Sequence, residues 1–167
     1  MTLSQRRQDE IREWFRKHWQ EEVAFSRLCG FEIVDFGPEV VRVRAAFRPE
    51  LSAHEKIFHG GVLATLIDTT GSGAVIAGHD YSLGTRLTTV SMSVQYLSVA
   101  PGEDIVAEGR CTRRGRSLNF AQVVVSSESG KRLAEGMLTV NITGHRQGLS
   151  VRDEPATDSP AYEEPGR

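Results

Sequence analysis

The chain is short of several things that announce a function. It has two cysteines in 167 residues, Cys29 and Cys111, with no CxxC and no histidine at ligand spacing. That excludes a disulfide framework and gives no sequence support for a zinc site, so no metal is expected. No run of apolar residues approaches the ~18 that a membrane-spanning helix requires. The first fifteen residues, MTLSQRRQDEIREWF, lack the apolar core of a secretory signal. Charge of one sign is scarce too. The net charge is -2, and residues 150–167 hold five acids against two arginines, leaving the rest close to neutral. Such a balance has no footprint for nucleic acid. There is no GxGxxG, Walker loop or G-x-S-x-G. The expectation is a cytoplasmic protein with neither a membrane span nor a nucleic-acid partner.

What is there has clear periodicity. Ile11, Trp14, Phe15, His18, Trp19 and Val23 recur at three- and four-residue steps, which predicts one amphipathic helix over 4–28, stopped by Gly30. Its mixed charges favour packing on its own domain over a membrane surface. From 31 to 48 the period becomes two, with Val41, Val43, Ala45 and Phe47 on one face and Gly37-Pro38 as the turn of a hairpin. A polar loop is expected from Pro49 to Phe58. GGVLATLIDTTGSGAVIAG is the least polar segment and reads as a buried helix ended by Gly78. Strands follow at LTTVSMSVQYL, DIVAEGRC, LNFAQVVVS and RLAEGMLTVNI, joined by turns short enough for an antiparallel meander.

The segments divide the chain into an amphipathic helix (1–30), a main domain (31–145) and a disordered acidic tail (146–167). One helix between strands, too apolar to face water, implies α+β architecture with the sheet curled around it. The exposed sheet edges then call for a homo-oligomer.

The chemistry concentrates in FHGGVLATLIDTTG. His59, Gly60 and Gly61 precede the buried helix, whose first N–H groups lack internal partners and favour negative charge. Glycine lets a substrate oxygen approach them, as an oxyanion site requires. Asp68 lies two turns further along nearly the same face. A carboxylate there is costly to bury unpaired, and general-base or nucleophile duty would account for it. Read from pattern alone, Gly-Gly can equally be a turn and Asp68 a partner for an unseen arginine.

HGGVLATLIDTTGSGA resembles the signature of hotdog-fold acyl-CoA thioesterases, in particular the phenylacetate-pathway (PaaI-like) branch. The resemblance continues through TTVSMSVQYLSVAPG and RRGRSLNFAQVVVSSESGKRLAEGMLTVNI, covering about residues 31–143. It implies a hotdog fold hydrolysing an acyl-CoA, with no cofactor beyond the CoA of the substrate. Asp68 matches the acid that acts as nucleophile or base. Gly60 matches the glycine whose N–H polarises the thioester carbonyl, His59 the motif histidine, and Thr89 a hydroxyl that holds water or substrate. Gly61 is expected beside the substrate. The resemblance also implies a site shared across a homodimer, alone or within a homotetramer.

One position departs from the family. Asn is common six residues before the motif histidine, and here that residue is Ala53, followed by His54. His54 is a candidate replacement donor, or the role is vacant. Arg113, Arg114 and Arg116 surround a turn glycine, and Arg86 precedes a strand; all four are candidates for CoA phosphates, with a solvated hairpin tip as the alternative for the first three. The competing function is a hotdog protein that binds acyl-CoA or an acyl carrier without turnover.

Overall fold

The structure is a computed structural model that describes residues 3–54 and 56–152. Helix α1 (Gln5–Glu21) starts at Ser4, whose side chain accepts from the Arg7 N–H. Ion pairs between Arg6 or Arg7 and Glu10, Arg12 and Asp9, and Arg16 and Glu13 run along its outer side. Ile11 and Phe15 are buried on the inner side.

The single helix expected over 4–28 is interrupted. Val23 is extended (φ -72°, ψ 100°) and a separate short helix α2 (Ala24–Cys29) follows. Val23 is β-branched, a type that helices hold weakly. The Gln20 side chain, meanwhile, is bonded forward to Phe31 O and Ile33 N. The break turns Val23 and Ser26 towards the middle of the domain. Gly30 ends α2 at φ 68°, a left-handed conformation that suits glycine.

Strands β1 (Phe31–Phe36) and β2 (Val41–Ala45) form the expected hairpin, closed by Gly37 N donating to Val40 O. The segment expected as a polar loop is better ordered than that. A 3-10 turn (Pro49–Leu51) leads into a ribbon of β3 (Ser52–His54) and β4 (Ile57–Phe58). The ribbon delivers the chain to α3 (Gly60–Ala77), capped at the far end by Gly78. Strands β5 (Leu87–Tyr96), β6 (Ile105–Arg114), β7 (Leu118–Ser127) and β8 (Arg132–Ile142) complete the domain.

The main sheet is antiparallel with order β1-β2-β6-β7-β8-β5. Strands β6 to β8 form the expected meander, but β5 does not pair with its sequence neighbour β6. It lies beyond β8, as an edge strand. The reason is the connection between them. Ala100 accepts from Phe58 N and Pro101 bridges to Ile57, so the chain crosses under the ribbon before starting β6.

The sheet curls around α3 in the hotdog arrangement. Leu63, Leu66, Ile67, Ala74 and Val75 are buried against Val43, Ala107, Val123, Leu138 and Val140. Close approach is made possible by sheet glycines. A Cβ at Gly136 would sit 2.5 Å from Ile67, and one at Gly109 would sit 2.9 Å from Thr70. By length and composition α3 is apolar enough to cross a membrane, yet most of it is buried inside the fold, as a core helix must be.

After α3, His79 is buried against Tyr81 and its Nε2 has no hydrogen-bond partner among the described residues. Burial, reinforced by the Arg114 charge, pushes its pKa down to about 4. Residues 146–152, the start of the expected tail, are held on the domain. Arg146 N donates to Thr85, Leu149 and Val151 pack on the core, and Ser150 O accepts from Arg7. The rest of that tail lies outside the described residues.

Candidate active site

His59 is the N-cap of α3. Its backbone is extended (φ -64°, ψ 135°), and its Nδ1 accepts from Gly61 N at 2.9 Å. The Gly61 N–H is thereby committed to the histidine ring. The Gly60 N–H has no acceptor among the described residues. Of the two glycine amides, Gly60 alone is therefore available to a substrate oxygen. Tyr96, at the end of β5, donates its hydroxyl to Gly60 O at 3.0 Å, and its ring fits where a glycine side chain is missing. Tyr96 thus belongs to the site's support, though the sequence showed only one apolar residue in an alternating strand.

Asp68 sits half-buried on α3 and has no ion pair among the described residues, so the unseen-arginine explanation does not hold. Its Oδ1 accepts from the Thr89 hydroxyl at 2.8 Å. Thr89 has one proton, given to Asp68, so its oxygen is the acceptor for Ser72 at 3.3 Å. Ser72 lies one turn beyond Asp68 on the helix. This relay fixes one carboxylate oxygen, and Asp68 lines an open cleft of about 260 Å³. A bulge in the β5–β8 register between Thr89 and Ser91 marks the place where the strand offers its hydroxyl to the helix.

The cleft walls include Trp19, Val23, Leu87, Thr88 and Arg146. Trp19, Val23 and Arg146 went unassigned in the sequence because each comes from a segment far from Asp68 along the chain.

The other candidates are dispersed. His54 is exposed on the β3–β4 ribbon and does not line the cleft. Arg86 is exposed where the chain enters β5. Arg114 donates to Val75 O at 2.6 Å, and to Ala74 O and Pro38 O. It satisfies orphan carbonyls at the C-terminus of α3, where a cation is favoured. That job commits both of its terminal nitrogens to the backbone. Arg113 lies over the Phe120 ring and Arg116 is exposed in the turn, leaving two of the three hairpin arginines uncommitted to backbone. No group of three His, Cys, Asp or Glu among the described residues is placed to hold a metal.

The family described as the thioesterase superfamily matches residues 55–134, the stretch from the ribbon to β8. Acyl-coenzyme A thioesterase 13 of Homo sapiens is 33% identical over 121 residues, covering 71% of this chain and 84% of that protein. The chain belongs to the thioesterase superfamily. Solved structures agree on the fold of this thioesterase-superfamily domain. A Shewanella oneidensis protein related to the superfamily superposes with a TM-score of 0.70 at 26% identity, over 81% of this chain and 97% of its own. The PaaI protein of E. coli, from the phenylacetic acid degradation operon, gives a TM-score of 0.70 at 17% identity, over 80% and 95% of the two chains.

Proposed function

We propose that the chain is an acyl-CoA thioesterase that works as a homodimer, alone or within a tetramer. The observation that carries this is a half-buried carboxylate, Asp68, oriented by Thr89 in an open cleft and paired with no cation among the described residues. In the mechanism, the Gly60 N–H polarises the thioester carbonyl and His59 holds the loop that presents it. Asp68 takes a proton from water as the water oxygen attacks the carbonyl carbon. The C–S bond of the tetrahedral intermediate then breaks, and the departing CoA sulfur recovers the proton. If Asp68 instead attacks directly, a mixed anhydride forms, and water hydrolyses it to the same free acid.

Spacing supports the dimer. Gly60 and Asp68 are eight residues apart on one helix, which is about 12 Å at 1.5 Å per residue. One carbonyl cannot touch both. A second copy placed against the open edge of β5 supplies the missing group, Gly60 from one protomer meeting Asp68 from the other. Cys29 and Cys111 are both free thiols, in keeping with action in a reducing cytoplasm.

The test is hydrolysis of an acyl-CoA panel (aryl-acetyl, short, medium and long), followed with a thiol reagent. Asp68→Asn keeps the size of the side chain, and turnover is expected to fall at least ~100-fold. Near-normal turnover in that variant, still folded, removes Asp68 from the mechanism. The second reading, an acyl-CoA binder without turnover, is favoured by one observation: neither Ala53 nor His54 reaches the cleft. Tight binding with no hydrolysis of any panel member selects it.

A further inference from the structure

The cleft beside Asp68 is built from two parts of the chain. Asp68, Ser72 and Thr89 come from inside the matched family segment, whereas Trp19, Val23 and Arg146 come from outside it. The reacting groups therefore lie within the matched segment, and part of the cleft's lining comes from outside it. Only one residue of that wall carries a charge, Arg146.

Arg146 is held with unusual care for an arginine without a carboxylate. Its backbone N–H donates to Thr85 at 2.7 Å. Its guanidinium lies 5.5 Å from the centre of the Trp14 ring, and Nη2 donates to His18 Nε2 at 3.1 Å. His18 stacks on Trp14 and reaches Glu22 through Nδ1. Burial and the Arg146 charge both push the His18 pKa down, so the ring is neutral and serves as an acceptor. Burial works against the Arg146 cation, the charge of Glu22 beyond the histidine offsets part of this, and Arg86 adds a smaller opposing push. None of the ion pairs among the described residues involves Arg146. A half-buried cation with most of its donor fork uncommitted has no carboxylate in contact with it among the described residues, and an anion entering the cleft would supply one.

We propose that Arg146 binds a carboxylate at the far end of the acyl group, so that the chain selects short acyl-CoAs whose acyl chain ends in a carboxylate. This rests on the thioesterase reading above. With the thioester at Asp68, the acyl chain runs along Trp19, Val23 and Leu87 to reach the guanidinium. The cleft, about 260 Å³, is below the ~300–1,000 Å³ common for drug-sized ligands, which suits a short chain. CoA must lead outward to solvent, so its phosphates are the less suited anion for a side chain stacked behind α1.

The experiment measures equilibrium binding of glutaryl-CoA and pentanoyl-CoA to the Asp68→Asn protein, which leaves the esters uncleaved. The same two acyl groups are then measured as phosphate-free N-acetylcysteamine thioesters. Glutaryl esters of both carriers are expected to bind at least ~10-fold tighter than their neutral counterparts, the scale of one charge-assisted hydrogen bond. Adding Arg146→Met should bring that ratio close to one, and Arg146→Lys should keep part of it, which separates lost recognition from lost folding. Equal affinity for the two acyl groups, a ratio unmoved by Arg146→Met, or no binding of either overturns the proposal. So does a loss confined to the CoA esters and equal for both acyl groups, because Arg146 would then be reading phosphate. Hydrolysis by the parent protein reports separately. Turnover without acyl preference leaves the thioesterase reading standing and this one fallen, and preference without turnover does the reverse.

Discussion

Strands β5 and β7 look alike as sequences and behave differently in the fold. Both are ten residues long and both alternate. In β7, Ala121, Val123 and Val125 are buried under α3, and the residues between them face outward. In β5 no residue is buried, and Val90, Met92 and Tyr96 remain 57%, 39% and 56% exposed. An alternating pattern reports that one face needs cover, without saying what provides it. For β7 the cover is the chain's own helix. For β5 no residue of the described chain provides it, the proposed dimer partner would, and that strand also carries Thr89 and the Tyr96 that supports Gly60. The core strand holds the fold together, and in the proposed dimer the edge strand would complete the site.

The sharpest way to test that division separates the two halves of the site genetically. Gly60→Pro removes the free N–H at a first helical position that accepts proline, and the extended His59 before it is already in the conformation proline demands. Gly60→Pro and Asp68→Asn are each expected to be at least ~100-fold impaired alone. If the site is shared, co-refolding equal amounts should restore about a quarter of normal activity, since half the dimers are mixed and each has one intact site. No recovery means that both groups act within one chain.

Charging the edge is the next test. Val90→Lys with Met92→Glu should yield monomers by light scattering and cut turnover at least ~10-fold, with secondary structure unchanged. Active monomers would break the comparison. In the core strand, Val123→Ala should cost about 2 kcal/mol in urea unfolding, the transfer and cavity cost of two buried methyl groups. The same change at Val90 should alter the stability of the dilute chain by less than ~0.5 kcal/mol. A modest effect on turnover is expected for the Thr89 pair. Thr89→Val should lower turnover about 10-fold, the scale of one hydrogen bond to a charged group, and Thr89→Ser should keep most of it.

The parts of the site that were legible in the sequence share one property, short separation along the chain. His59, Gly60 and Asp68 lie on one helix, so spacing alone places them, and the family resemblance adds Thr89. Ser72 lies one turn beyond Asp68 on the same helix, but its partner lies on β5, and only tertiary pairing shows that it serves Thr89. Trp19 and Arg146 reach the cleft from opposite ends of the chain. The interruption at Val23 that directs this wall inward leaves no mark in a helical period. The backbone role of Arg114 was hidden for a related reason: three arginines around a turn suggest a phosphate site or a solvated tip, and the carbonyl end of α3 beneath one of them shows only in the fold.

The imidazole of His79 makes the fold a proton-linked one. Its pKa is about 4 in the native chain against 6.5 when unfolded, so between those values the unfolded chain binds more protons than the native one. The stabilisation is complete above pH 6.5 and is lost as acid approaches pH 4. Melting temperature should therefore fall across that window, and His79→Gln should flatten the fall; an unchanged slope would show that other groups take up the protons. A single ring enclosed behind the end of α3 thus makes mild acidity, beginning above the range in which most carboxylates titrate, a condition that draws down the stability of this domain.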